Sequence, residues 1–76
     1  MYNFTFHYVG GLEYVCNHVT KVKEIKSSTI VNELAGDEIY SHDFYIPGGF
    51  LILESENERH NISYDGLQTF KITKSC

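Results

Sequence analysis

The sequence predicts an all-β fold: a small antiparallel β-barrel or sandwich of six to seven short strands built from hairpins, with one short helical turn left open at residues 17–25. Three observations lead there. Gly10-Gly11 lies between two runs of alternating aromatic residues, and Asp65-Gly66 lies between two further alternating runs. Phe50-Leu51-Ile52-Leu53 is continuously apolar over the length of one strand. Turn signals recur at roughly ten-residue spacing with no long amphipathic helical stretch between them.

The first hairpin fixes its own register. With three residues, Val9-Gly10-Gly11, in the loop, Tyr8 pairs with Leu12, Phe6 with Tyr14 and Phe4 with Cys16, while Asn3, Thr5, His7 and Glu13 take the other face. A two-residue loop would split these aromatic side chains between faces. Gly11 then takes a left-handed conformation, open to glycine without a Cβ penalty.

Beyond the hairpin, Val19, Val22 and Ile25 recur every three residues, which fits either a helical turn capped by Asn17 or an extended strand with a kink. Ser27-Ser28 interrupts that pattern. A β-branched strand starting at Thr29-Ile30-Val31 runs to Ala35-Gly36-Asp37, and residues 38–42 are expected to return antiparallel to it. Pro47-Gly48-Gly49 supplies a turn, with Ile46 biased to extended backbone by the proline that follows. Residues 50–53 form a central strand, buried on both faces or bending from one sheet to another. A three-residue loop, Tyr64-Asp65-Gly66, closes a last hairpin that puts His60, Ile62, Gln68, Phe70 and Ile72 on one side.

At 76 residues the chain is expected to be one domain, residues 1–76, with a small core, since chains near 60 residues bury only about 60% of their unfolded surface. With 42% hydrophobic and 14% aromatic residues it lacks the composition of a disordered tail. No run approaches the roughly 18 apolar residues of a membrane span, and the N-terminus carries no basic segment with an apolar core, so a cytoplasmic protein without membrane association is expected. Cys16 and Cys76 do not make a disulfide framework and are expected to be reduced. Asn3-Phe4-Thr5 and Asn61-Ile62-Ser63 match a glycosylation pattern but read as strand residues.

Charge is segregated. Residues 32–65 carry one arginine against eight acids, a net of −7, while residues 1–31 and 66–76 are weakly basic. Such a middle repels a phosphate backbone and attracts a basic protein surface.

Candidate chemistry is sparse. Cys16-x-His18 places two possible zinc ligands on one side of a strand, with His42, Asp43 or His60 needed to complete a site, and no metal or other cofactor is expected. A cysteine nucleophile needs an oriented base, which nothing in the sequence selects. There is no glycine-rich phosphate cradle and no nucleophile elbow, so no catalytic residue is expected and the chain reads as a non-enzyme. Eleven aromatic residues suggest base stacking, yet most fall on the core face, and a nucleic-acid-binding barrel would depend on a patch of Lys21, Lys23 and Lys26.

Glu38, Tyr40, Asp43, Phe44 and Tyr45 combine acidic and aromatic character ahead of the Pro-Gly-Gly turn, as interface anchors do. The function expected is therefore a non-catalytic protein-protein interaction module, an adaptor or small inhibitor of viral or mobile-element type, acting through this acidic tyrosine-bearing surface or through a sheet edge. Its partner would be a basic protein of the nucleic-acid-binding kind, and self-pairing of edges makes a homo-oligomer the expected state. The alternatives are the nucleic-acid-binding barrel, with nucleic acid itself disfavoured as a partner, and third an oligomeric small-ligand-binding protein.

Overall fold

In chain order the elements are strand β1 (Tyr2–Tyr8), β2 (Glu13–Val19), β3 (Lys21–Lys26), β4 (Thr29–Ala35), helix α1 (Glu38–Ser41), and strands β5 (Phe50–Glu54), β6 (Arg59–Ser63) and β7 (Leu67–Lys74). The structure, a computed structural model, describes residues 1–44 and 48–74. Two antiparallel sheets face each other, one of three strands in the order β2-β1-β7 and one of four in the order β4-β3-β5-β6. The arrangement is sandwich-like and does not close into a barrel.

The first hairpin forms in the expected register, with Phe4 opposite Cys16 and Phe6 opposite Tyr14. The Tyr8 amide donates to the Leu12 carbonyl at 2.8 Å, and Gly10 and Gly11 both have positive φ. Tyr2, Phe4 and Phe6 alternate into the core from β1, the central strand of its sheet. They meet Cys16 and Val19 from β2, Val22 from β3, Leu34 from β4, Ile39 from α1, Leu51 and Leu53 from β5, and Ile62 from β6.

The every-third-residue pattern at 19, 22 and 25 is produced by strand irregularities, and no helix forms at 17–25. A bulge at residues 17–18 shifts the β1–β2 pairing between Phe4–Cys16 and Tyr2–Val19, so both Cys16 and Val19 point inward despite their odd spacing. His18 sits there with φ of 58° and donates its backbone N–H to Asn3 Oδ1 at 3.0 Å. The chain then turns a corner at Thr20, whose amide donates to the Glu54 carbonyl at 2.9 Å, and enters the second sheet. The β3–β4 connection is tight, and Ser27 and Ser28 both have left-handed backbone, which favours glycine or asparagine.

Two expectations are corrected. Residues 38–42 do not return as a strand; α1 forms, burying Ile39 while exposing Glu38 and Tyr40, so one short turn sends the only strongly apolar residue of that stretch into the core. The last hairpin is also not a hairpin. Residues 64–66 form the three-residue loop, with Gly66 at φ of 76° and the Leu67 amide bonded to the Tyr64 carbonyl at 3.0 Å, but they carry the chain from one sheet to the other. β6 pairs with β5, and β7 pairs with β1 through Phe6–Phe70 and Phe4–Ile72. Ile62 and Phe70 do face one core, from opposite layers. β5 lies inside its sheet with Leu51, Ile52 and Leu53 buried, as a strand apolar on both faces requires. The Pro47-Gly48-Gly49 turn falls partly on residues 45–47, outside the described residues.

Candidate partner-binding surface

Glu38 and Tyr40 lie on the exposed side of α1, with exposed Asp43 just beyond it; Tyr45 is outside the described residues. Tyr40 is 51% exposed yet held in place, its ring stacked on Tyr2 at 5.9 Å with the Lys74 ammonium 4.8 Å from its centroid. The Tyr2 hydroxyl donates to Asp37 Oδ1 at 3.0 Å, and this carboxylate, followed by burial, raises the Tyr2 phenol above its ordinary range. Glu38 accepts the Ala35 amide at 3.4 Å. Phe44 turns the other way, edge-on to Phe4 at 6.2 Å and Phe70 at 5.7 Å, and seals the core.

α1 lies at the C-terminal end of β4, where Glu38 meets Ala35, while Tyr40 reaches across to Tyr2 of β1 and Lys74 of β7, so the acidic tyrosine-bearing segment adjoins one end of an unpaired sheet edge. Among the described residues β4 pairs only with β3, and of its seven residues Leu34 alone is buried; Ile30 is 50% and Val31 46% exposed. A bulge opposite Ile25 takes up Val31, leaving residues 32–35 in regular register. The other edges carry more of the usual protection against added strands. β7 bears Lys71 and Lys74, β6 has five residues and begins with Arg59, and β2 is bent at its bulge. β4 contains neither lysine nor proline.

The lysines of β3 do not stand as a free patch. Lys21 pairs with Glu33 and Lys23 with Glu54, each at 3.5 Å, while Lys26 is exposed at the strand end. Cys16 and His18 are also separated. The Cys16 thiol is buried, and burial, with a smaller contribution from Glu58, pushes it up to about 11; His18 is exposed. His42 and His60 bond elsewhere, and among the described residues no group of three or more His, Cys, Asp or Glu is placed to hold a metal.

One polar centre escaped sequence reasoning. Glu24 is fully buried between the sheets, its Oε1 accepting Asn32 Nδ2 at 2.8 Å and His42 Nε2 at 2.7 Å. Glu24 Oε2 and the Tyr64 hydroxyl are buried there too; burial, then the neighbouring Glu24 charge and hydrogen bonding to that carboxylate, raise the Tyr64 phenol. The signal was the two-residue spacing of Val22 and Glu24, masked by the stronger spacing of three. His60 is held in a second polar group, between Tyr14 and Glu58.

Among the described residues, open cavities of about 320 and 570 Å³ lie among residues 48–65 and around Asn17, His18 and Glu56. No helix among the described residues is long and apolar enough to cross a membrane. The fold and surface together define a small two-sheet β protein with one open, acid-flanked edge. No family, curated protein or solved structure was found to match the chain.

Proposed function

We propose that this chain is a non-catalytic protein-interaction module whose β4 edge, flanked by α1, accepts an extended segment of a basic partner as an added strand. The observation that carries this reading is the exposed edge strand β4, with the acidic helix α1 at its C-terminal end. Backbone hydrogen bonds from an added strand supply affinity, and side chains on either side supply selectivity. Exposed Ile30 and Val31 offer apolar contact. Exposed Glu38 and Asp43 favour lysine or arginine on the incoming segment, while Glu33 and Asp37 are engaged by Lys21 and the Tyr2 hydroxyl. Pairing of two copies through this edge would bring two acidic flanks together, so a foreign basic strand is the better complement.

The test is photocrosslinking in the cell that makes the protein, with a photoreactive phenylalanine analogue at position 40 and, as control, at position 69 on β7. One protein captured at 40 and not at 69, through a lysine- or arginine-rich segment, and lost in Val31→Pro, is the expected outcome. Equal capture at both positions, capture of nucleic acid, or capture of the chain itself would each overturn the reading.

A further inference from the structure

Tyr14, His60 and Glu58 form a hydroxyl–imidazole–carboxylate relay on the side of the sandwich where β2 meets β6. Tyr14 Oη lies 2.7 Å from His60 Nδ1, and His60 Nε2 lies 3.2 Å from Glu58 Oε1. Glu58 can only accept, so Nε2 carries the imidazole proton and Nδ1 presents a lone pair to the tyrosine hydroxyl. A nucleophile within hydrogen-bond reach of a base, with that base oriented by a third group, is the geometry of an activated nucleophile. His60 is further fixed by edge-on packing against the Tyr14 ring, centroids 5.7 Å apart.

The neighbouring nucleophile does not share this arrangement. Cys16, two residues along β2, is buried and holds its proton up to about 11. Tyr8 donates its hydroxyl to the Ser63 carbonyl at 3.0 Å, which is no base. Tyr14 alone among the three is 42% exposed with its proton directed at an imidazole. Leu12, two residues earlier, and Val9 across the loop are exposed apolar side chains on the same hairpin.

We infer that Tyr14 is a nucleophilic tyrosine and the acceptor of a short apolar acyl group from an activated donor, an ester or thioester. Tyr14 Oη attacks the acyl carbonyl carbon and forms the new C–O bond. The bond to the leaving alkoxide or thiolate breaks and takes its electron pair, and the phenolic proton passes to His60 Nδ1, leaving an imidazolium held by Glu58. The product is an O-acyl tyrosine on β2. This inference is independent of the β4 surface.

The test uses p-nitrophenyl acetate as donor, with site-resolved acetylation followed by peptide mass spectrometry. Tyr14 should acetylate faster than Tyr40, which is more exposed but has no imidazole partner among its described contacts. His60→Gln should slow Tyr14 by about a hundredfold, the lower end of the range for general-base assistance, and leave Tyr40 unchanged. Glu58→Gln, at a site 66% exposed, should also slow Tyr14 selectively, and it decides the matter if His60→Gln does not fold. Equal labelling of Tyr14 and Tyr40, stable label on His60 in place of Tyr14, or unaltered Tyr14 rates in the variants would overturn the assignment.

Discussion

Two of the carboxylate–imidazole pairs in the sandwich differ in which member is buried. In the first, Glu24 is 1% exposed by side chain and His42 sits at the rim, 2.7 Å away. In the second, Glu58 is 66% exposed and His60 is the more enclosed partner, at 3.2 Å. A charge without water must be matched by its neighbours, so Glu24 draws both Asn32 and His42 to one oxygen. A charge in water asks nothing of the fold, and Glu58 instead orients His60 toward Tyr14. The same two residue types thus serve structure at one place and chemistry at the other, and burial decides which.

The largest effect should come from breaking the buried pair. His42→Ala should destabilise by about 3 kcal/mol, the lower end of the range for orphaning a buried charge, read from urea midpoints at constant slope. A loss below about 1 kcal/mol would show that His42 is not what holds Glu24 in the core. Replacing both members, Glu24→Leu with His42→Leu, should return stability to within about 1 kcal/mol of the parent, because the desolvation cost goes with the charges.

Alkaline pH sharpens the comparison next, since each pair adjoins an acid group that it helps to keep protonated: Tyr64 beside Glu24 and Cys16 beside Glu58. Both hold protons more tightly folded than unfolded. Stability should therefore be level below the ordinary thiol range and fall as pH rises through about 11, where Cys16 finally ionises. Burial is the larger cause at Cys16, so Glu58→Gln should barely alter that fall, whereas Cys16→Ala should reduce it. The smallest effect is on the exposed pair itself: Glu58→Gln at neutral pH should change stability by no more than about 0.5 kcal/mol while still slowing Tyr14 acetylation.

The candidate surface was partly legible in sequence. Glu38, Tyr40 and Asp43 stand out by residue type and are exposed, but Phe44, of the same aromatic character, is drawn to Phe4 and Phe70. Nothing local distinguishes an aromatic anchor from an aromatic plug. Lys21 and Lys23 likewise read as a basic patch until Glu33 and Glu54, distant in sequence, arrive beside them. The β4 edge could not be foreseen, because a strand is an edge only by its place in the sheet order.

What the sequence determined by itself was local: the first hairpin and its register, the central place of residues 50–53, and the left-handed glycine ending the 64–66 loop. Each rests on alternation or on backbone freedom within a few residues. Tertiary structure alone decided that β6 and β7 part into different sheets, that residues 38–41 coil and do not extend, and that Glu24 is buried between Asn32 and His42. Those outcomes depend on which distant surfaces compete for the same apolar faces, and no spacing along the chain encodes that competition.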